Sequence, residues 1–457
     1  MKYSFPGRRS VWVGLRLCAL VGTGLVLGAC ALLNPRPAPL PTPIPQATQT
    51  PLPASPTPLP ATAVPTFEIT PTPTSEPTFS PRLRSGLRVT YVDSQRNLWL
   101  WDEGQAPLLL ANTADVDRVK ISPDGSKIIL TRAGDGVRES IWVVNANGSD
   151  GKILMDEGKL GSISPVDLSY TVVPFQMNWI KGTYKMALSS RPIFDGMRFE
   201  LNYDLLILDT DSGKISQIFE KQQAGMFFIS PDGKTIALVH PGRIDLMDAD
   251  GGNLRSGVLN FAQKFNDGEY RAYPRWSSDS QKLRVVVPPD KSGLNAPIWD
   301  IPAAVGDPVR VGTISTEALF SATFSPDLSG LVYLRHAGGD VNETFREVHV
   351  ANGDGSADRI LVTGQVSIDE WSPDSSRFIY GESMPSEPRV AGKVGPGSPL
   401  TDTKRAEQIR WVDGERVIFF VRNGKNWELR LGKPGEVSRV LVSFPHVKAR
   451  PSFDFVP

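Results

Sequence analysis

Short clusters of asparagine, aspartate and glycine are the first residues in this sequence that could bind an ion. They stand at residues 145–148, 209–213, 248–251 and 352–355. Calcium loops use side-chain oxygens at alternate positions in this way, with a glutamate at a fixed distance. None of the four clusters has that glutamate, and asparagine, aspartate and glycine are also what a tight hairpin requires. We interpret all four clusters as turns and predict no metal site.

Histidine is too scarce for extensive metal or acid–base chemistry, since there are four histidines in 457 residues. His240 and His336 each follow an apolar segment that we predict to be a second strand, and both would face the same side of a ring of repeats. We assign them to exposed loops and to a candidate binding surface. The G-x-S-x-G motif of serine hydrolases is absent. The sequence therefore predicts no catalytic residue and no cofactor.

A repeated segment organises the part of the chain that must position these residues. The pattern WSPDSSRFIYG at residues 371–381 returns in seven copies, whose leading residues are 40 to 58 positions apart. Such self-similarity is typical of a repeat architecture. The leading residues of the copies are Ile121, Trp179, Ile229, Trp276, Phe324, Trp371 and Trp411.

Each copy of the repeat predicts two short strands joined by a tight turn. Proline presets the backbone of the turn, aspartate can bond its own backbone, and glycine supplies a positive φ. Ser280 and Ser375 replace that glycine in two copies, and we expect their turns to persist. A third and a fourth strand follow, as at residues 140–145 and 152–155. Four antiparallel strands per repeat predict an all-β fold, the β-propeller.

The SPDG hairpin, the apolar strand, the Ile-x-Val-x-Asp strand and the Asp-Gly turn together resemble the TolB-like propeller family from about residue 87 to the end. The resemblance implies four-stranded blades with the leading Ile, Trp or Phe packed between them. It implies little about activity, because propellers host many unrelated functions. A role as an accessory subunit of an envelope or export complex is one possibility that it raises.

The two ends of the repeat region predict how the ring closes. Residues 87–92, 97–101 and 108–111 resemble the second, third and fourth strands of a blade without a first strand, and residues 450–455 resemble a final opening strand. Seven motifs and this split blade predict eight blades. Seven blades is the alternative, because the segment after Trp371 has poor strand character.

Long, unrepeated loops predict where a ligand would bind. The turns within the motifs lie on one face of a propeller, and the remaining loops lie on the other, which we call the long-loop face. Aromatic residues and arginines dominate binding hot spots, so these residues, with the two histidines, form the candidate surface: Tyr170, Arg191, Phe194, Arg198, Phe199, His240, Phe265, Tyr270, Arg271, Arg335 and His336. The alternative is that the aromatic residues only pack their own loops.

Charged residues precede several of the leading residues. Lys120, Arg275, Glu370 and Arg410 would line the axial channel as a partial ring, or simply form its solvated wall. The whole chain carries 49 basic and 49 acidic residues. This balance gives no overall basic field, so nucleic acid is excluded as an expected partner.

The first 81 residues predict an export signal and a tether. Basic residues precede the apolar run at 17–29, which is too short to span a bilayer. The run ends in Leu27-Gly28-Ala29-Cys30, which resembles a bacterial lipobox with Cys30 as the lipidated residue; a plain cleaved signal is the alternative. Residues 34–81 contain 16 prolines and cannot build a core. We expect a signal peptide at 1–29, a disordered tether at 30–81 and a propeller at 82–457.

These features predict a lipid-anchored protein of the cell membrane that faces the extracytoplasmic side. Its expected role is a non-enzymatic binding or scaffold module for an envelope protein, peptide or glycan. The alternative is an enzyme acting on an extracellular polymer, with loop residues such as Asp195, Glu382 or His336 as acid and base.

Overall fold

The structure is a computed structural model that describes residues 86–134, 138–167, 169–195, 200–261, 272–288, 295–315, 319–337, 345–382, 387–392, 397–404, 406–447 and 449–457. The expected signal peptide, Cys30 and the tether lie outside the described residues.

Thirty-two strands and one short helix make up the described chain. In chain order they are β1 (Arg88–Val92), β2 (Leu98–Asp102), β3 (Leu108–Ala111), β4 (Val116–Ile121), β5 (Lys127–Ala133), β6 (Glu139–Asn145), β7 (Lys152–Met155), α1 (Lys159–Ile163), β8 (Thr171–Ile180), β9 (Lys185–Ile193), β10 (Leu205–Asp209), β11 (Ile215–Phe219), β12 (Met226–Ile229), β13 (Thr235–His240), β14 (Arg243–Asp248), β15 (Arg255–Asn260), β16 (Arg275–Trp276), β17 (Lys282–Val286), β18 (Ala296–Pro302), β19 (Val309–Ile314), β20 (Leu319–Phe324), β21 (Gly330–His336), β22 (Arg346–Asn352), β23 (Arg359–Gly364), β24 (Val366–Trp371), β25 (Arg377–Glu382), β26 (Glu387–Gly392), β27 (Ser398–Pro399), β28 (Glu407–Trp411), β29 (Val417–Asn423), β30 (Asn426–Gly432), β31 (Arg439–Pro445) and β32 (Ser452–Val456).

The strands form eight antiparallel four-stranded sheets. Seven sheets use four consecutive strands each, from β4–β7 in blade 2 to β28–β31 in blade 8. Blade 1 has the order β3-β2-β1-β32, so its innermost strand comes from the end of the chain. The chain is an eight-bladed β-propeller, which confirms the predicted fold and excludes seven blades.

The split blade closes the ring through five paired positions. Arg88 stands opposite Val456 and Val92 opposite Ser452, in antiparallel register. The closing strand is also fixed by its charge, because one carboxylate oxygen of Asp454 accepts the backbone N–H of Ile121 at 3.1 Å and the other lies 2.5 Å from a guanidinium nitrogen of Arg410. One residue of β32 thereby joins blades 1, 2 and 8.

A separate hydrophobic cluster fills each of the eight interfaces between neighbouring blades. Blades 1 and 8 share the cluster that contains Tyr91, Phe453 and Phe420, for example, and blades 4 and 5 share the cluster of Leu246 and Trp276. The other six interfaces are filled in the same way. Each blade therefore buries both faces against its neighbours, as repeat architectures require.

The leading tryptophans of the motif lie at these interfaces near the axis and also bond across them. The indole N–H of Trp276 donates to the carbonyl of Phe228 in the preceding blade at 2.9 Å, and that of Trp371 donates to the carbonyl of Thr323 at 3.2 Å. Trp179 and Trp411 make the same bond to Lys120 and Glu370. Tryptophan thus combines a large apolar area with a hydrogen bond that ties innermost strands together.

The SPDG turns lie on the face of the ring opposite the long-loop face, and they share one hydrogen-bond pattern. In five blades the serine hydroxyl donates to the aspartate carboxylate at 2.6 Å. The turns with serine in place of glycine persist, with φ of 62° at Ser280 and 65° at Ser375. The Ser280 and Ser375 hydroxyls accept backbone N–H groups of Asp232 and Asp327 in the preceding blades. The substitution that costs backbone strain therefore also supplies a bond between blades.

Blade 7 is complete although its sequence has poor strand character. Its outermost strand, β27, has two residues and pairs with β26 at two positions. The apolar face of its inner strands supports it, because Phe378 and Tyr380 pack against blade 6. Among the described residues, no helix has the length and apolarity needed to cross a membrane.

Deletion of residues 450–457 tests the closure of the ring. The deletion removes β32 with the buried Phe453 and Asp454, so we expect the melting temperature to fall by about 10 °C or more. Thermal unfolding followed by circular dichroism measures the change, and removal of Pro457 alone is the matched control. A truncated protein that melts within one or two degrees of the intact one would contradict closure by β32.

Candidate functional site

The long-loop face is formed where the first and third strands of each blade begin and the second and fourth strands end. Of the residues expected to form a binding surface there, Tyr170, Arg191, Phe194, His240, Arg335 and His336 are described. Arg198, Phe199, Phe265, Tyr270 and Arg271 lie outside the described residues. The candidate surface remains a prediction, and the structure shows how six of its members are placed.

Tyr170, Arg191 and Phe194 lie together at the open end of blade 3. The backbone N–H of Tyr170 donates to the carbonyl of Ile193 at 2.6 Å, which places Tyr170 across from Phe194. Tyr170 is 61% exposed, and the guanidinium of Arg138 from blade 2 lies 5.9 Å from its ring centre. We call Arg138, Tyr170, Arg191 and Phe194 the blade 2–3 patch.

A row of alternating charges supports this patch from blade 1 to blade 3. Arg96 lies 2.8 Å from Asp117, Arg118 lies 3.9 Å from Asp117, and Arg118 lies 2.6 Å from Glu139. Arg191 ends the row: burial and the neighbouring Arg118 lower its pKa, while Glu139 acts in the opposite direction. Two arginines therefore share Glu139, and this end of the patch carries an excess of positive charge.

His240 lies inside blade 4. It is the last residue of β13, and a two-residue turn returns the chain at Arg243, so the residue is only 5% exposed. The prediction that His240 is an exposed loop residue is therefore wrong. Its Nε2 lies 3.0 Å from a carboxylate oxygen of Asp245, although not in the geometry of a good hydrogen bond. Asp245 also accepts the backbone N–H of Gly257 at 2.7 Å. This arrangement makes His240 a structural partner of Asp245.

Arg335 belongs to a partly buried polar network in blade 6. Its guanidinium lies 2.8 Å from Glu347, whose carboxylate is 3.2 Å from Nε2 of His349, and Nδ1 of His349 is 3.1 Å from Asp358. The hydroxyl of Tyr333 donates to Asp358 at 2.7 Å. Burial alone would raise the pKa of both carboxyls, but bonds from His349 and from Arg335 or Tyr333 outweigh it and lower both pKa values. The network holds its charges within the blade.

His336 lies in a second group on the same blade, which we call the blade 6 patch: Phe320, His336, Phe345 and Arg346. His336 and Arg346 stand opposite each other at the ends of β21 and β22. The guanidinium of Arg346 lies 3.8 Å from the ring centre of Phe320, and the ring of His336 stands at 82° to that of Phe320 at 5.7 Å. Phe320 is 39% exposed and Phe345 is 48% exposed.

An open groove of about 480 Å³ lies on blade 2 and is lined by residues of β5, β6 and β7 and of the connections beside them. Arg132 in this groove makes a two-point ion pair with Asp115 at 2.7 and 2.9 Å and covers the ring of Trp142 at 4.6 Å. Asp156 and Glu157 stand at its other side. Its one arginine is therefore already engaged with groups of the groove itself.

The axial charges are arranged as a partly compensated ring. Burial would lower the pKa of Arg410, but Asp454 and Glu370 outweigh it and raise the pKa. Arg275 is exposed to solvent, yet protein surrounds it closely enough for burial to lower its pKa against the effect of Glu370. This combination is expected of a side chain that lines a narrow channel.

The residues of the enzyme alternative stand on three blades. Asp195 follows β9 in blade 3, His336 ends β21 in blade 6, and Glu382 ends β25 in blade 7. Glu382 lies 2.8 Å from Arg389 and accepts the hydroxyl of Tyr380. Among the described residues no group of three or more His, Cys, Asp or Glu is placed to hold a metal ion. The Asn and Asp clusters form turns, as at Asp209, whose carboxylate accepts the N–H groups of Asp211 and Ser212.

Comparison with known proteins does not assign a function to this chain. No model of a known protein family matches the sequence, and comparison with curated proteins finds no match. Similar solved structures include an oligogalacturonate lyase from Vibrio parahaemolyticus, with 15% identity and a TM-score of 0.43 over 65% of this chain and 82% of the lyase. They also include TolB from Acinetobacter baumannii, with 18% identity and a TM-score of 0.29 over 59% of this chain and 62% of TolB.

A eukaryotic initiation factor is similar as well, with 9% identity and a TM-score of 0.47 over 79% of this chain and 85% of the factor. At these identities and TM-scores the likeness carries no argument about the activity of this chain.

Several residues of the long-loop face are missing from the candidates predicted from the sequence. Arg138, Phe320, Phe345 and Arg346 flank or end strands, and only the packed structure shows which aromatic ring each arginine meets. A usable signal exists for Phe345 and Arg346, since they end the long connection after His336. Phe320 has no such signal, because it stands four residues before a leading residue and resembles strand sequence.

Replacement of Asp245 by asparagine tests the structural role of the His240 pair. Burial would raise the pKa of Asp245, but His240 and Gly257 outweigh it and lower the pKa to about 2. A carboxyl with a lowered pKa stabilises the fold above its unfolded pKa of 3.8, and this contribution is lost as the pH falls toward 2. We expect D245N to reduce the free energy of unfolding by about 2 kcal/mol at pH 6.

Urea unfolding at pH 6 and pH 3 measures this effect. The difference between wild type and D245N should narrow at pH 3, whereas D307N, at an exposed aspartate of blade 5, should change little at either pH. A difference that stays the same at both pH values would rule out the ionised Asp245 as the stabilising group.

Proposed function

We propose that this protein is a membrane-anchored, extracytoplasmic binding or scaffold module whose long-loop face holds a protein, peptide or glycan of the cell envelope. The observation that carries the proposal is the pairing of an arginine with an exposed aromatic ring at two separated places on that face. Arg138 and Tyr170 form one pair, and Arg346 and Phe320 form the other. Such residues dominate the energetics of protein interfaces.

The division of the ring into two faces supports the same proposal. The SPDG face consists of one turn that recurs in five blades, and hydrogen bonds join some neighbouring turns to each other. The long-loop face carries connections of different lengths, from one residue after Gly364 to fifteen after Met155. Function is commonly placed on variable loops that a rigid scaffold presents.

Site-specific photo-cross-linking in cells that make the full chain tests the proposal. A benzophenone side chain replaces Tyr170 or Phe345 on the long-loop face, or Val437 on the SPDG face. We expect one discrete envelope component to be captured from the first two positions and not from Val437. Val437 is a demanding control because it is 80% exposed, more than either test position.

Equal capture from both faces, or no capture from Tyr170 and Phe345, would contradict the proposed surface. The enzyme alternative is examined with purified residues 82–457, which contain the complete ring, and a panel of peptides and envelope glycans. Turnover that is lost in H336A would replace the binding module by an enzyme.

The proposed anchor rests on Cys30 and has its own test. The chain has two cysteines, and Cys18 would leave with the signal peptide. We expect C30S to abolish incorporation of radioactive palmitate and to move the protein from the membrane pellet to the soluble fraction, whereas C18S leaves both unchanged. Persistent labelling of C30S would exclude the lipobox interpretation.

A further inference from the structure

Two arginines of blade 6, Arg335 and Arg346, have different kinds of neighbours. Arg335 ends β21 one residue before His336, and its guanidinium lies 2.8 Å from Glu347. Arg346 begins β22, and among the described residues no carboxylate lies within ion-pair distance of it. Both arginines are partly buried. The fold therefore supplies an acidic partner to the first cation and leaves the second to an aromatic ring.

The environment of Arg346 favours an anion as its partner. Its Nε is buried and has no hydrogen-bond partner in the part of the chain that the structure describes. Burial lowers its pKa, and no acid among the described residues offsets this effect. Leaving a buried donor unpaired is costly, and such a group in a folded protein needs an explanation. A planar carboxylate fits a guanidinium with two parallel hydrogen bonds.

The flanks of Arg346 favour a peptide over a sugar as the carrier of that carboxylate. A sugar ring on an aromatic platform needs a free ring face, but the guanidinium already covers one face of Phe320 and the ring of His336 contacts it as well. What stays accessible is the apolar surface of Phe320 and Phe345 beside the cation. An acidic residue next to an apolar side chain matches this combination.

We propose that the blade 6 patch binds an acidic segment of a partner protein, with Arg346 paired to a carboxylate and with Phe320 and Phe345 in contact with an adjacent apolar side chain. This inference rests on the proposed binding function and names the chemistry of its ligand. Arg346 is then the residue that determines specificity for a carboxylate over an amide.

A pair of capped peptides serves as the probe: Ser-Glu-Leu-Glu-Ser and its analogue with glutamine in place of both glutamates, each carrying a fluorophore. Fluorescence anisotropy with the full chain measures both dissociation constants. We expect wild type to bind the glutamate peptide at least about tenfold more tightly than the glutamine peptide. R346Q should abolish this preference, and R346K should retain part of it because it keeps the charge without the planar fork.

Two controls separate the pairing from general effects of charge. R310Q removes an exposed arginine on β19 of blade 5 and should bind both peptides as wild type does. Asp340 and Glu343 belong to the connection before Arg346 and lie outside the described residues. The double variant D340N/E343Q removes them as competing carboxylates and should bind the glutamate peptide at least as tightly as wild type.

Thermal unfolding checks that R346Q is folded like wild type, so that a change in peptide binding can be attributed to the missing guanidinium. Because Arg346 has no acidic partner among the described residues, R346Q should melt within about 2 °C of wild type. A loss of more than about 5 °C would show that Arg346 is retained for stability and would overturn the proposal.

The remaining outcomes also decide the matter. The proposal is overturned if wild type does not prefer the glutamate peptide, if R346Q keeps the preference, or if D340N/E343Q binds more weakly. It is likewise overturned if only an acidic oligosaccharide binds in an Arg346-dependent way. Cross-linking from Tyr170 and Phe345 that persists unchanged in R346Q would leave the binding function intact while refuting the carboxylate site.

Discussion

The structure depends on the contact between the innermost strands of neighbouring blades. No blade can bury both of its apolar faces alone, and each of the eight interfaces contains its own cluster of buried side chains. At four interfaces a tryptophan indole donates to a carbonyl of the preceding blade. Because the blades form a closed ring, the interface between blade 8 and blade 1 must be packed as well as the other interfaces. Strand β32 makes this possible by pairing with β1 and completing blade 1.

This constraint divides the molecule into a face that must repeat and a face that is free to vary. The serine and aspartate of each SPDG turn are bonded to each other, and the turns at Asp232 and Asp327 also bond to the next blade, so their chemistry is used within the scaffold. The described connections at the other end of the blades do not repeat one bond pattern, and they present Tyr170, Phe320, Phe345 and Arg346 to solvent or to each other. Polar groups near the interfaces, such as Asp245 and Glu347, are paired with an arginine of the same blade.

The sequence was sufficient to predict the architecture, because a repeat of known period with turn residues at fixed offsets defines both the strands and their order. The split blade followed from incomplete motifs at the two ends, and blade 7 followed from its motif despite a weak outer strand. The site was less predictable. His240 has the position of a loop residue, but the two-residue turn that follows buries it against Asp245. Arg346 and Phe320 are 26 positions apart, and no periodicity indicates that their side chains stack. Contacts between connections depend on side-chain directions that a strand pattern does not encode.

Hydrogen exchange of the purified full chain, followed by mass spectrometry at native conditions, tests most directly whether the ring is one cooperative unit closed at blade 1. If the eight interfaces are equivalent, the innermost-strand amides of all blades should exchange only through global unfolding, with the same free energy at β32 and β1 as at β24. Exchange of β32, of its partner β1 and of β28 at a clearly lower free energy than that of the innermost strands of the other blades would contradict this account, because it would show that the ring opens at its seam while the other blades stay folded.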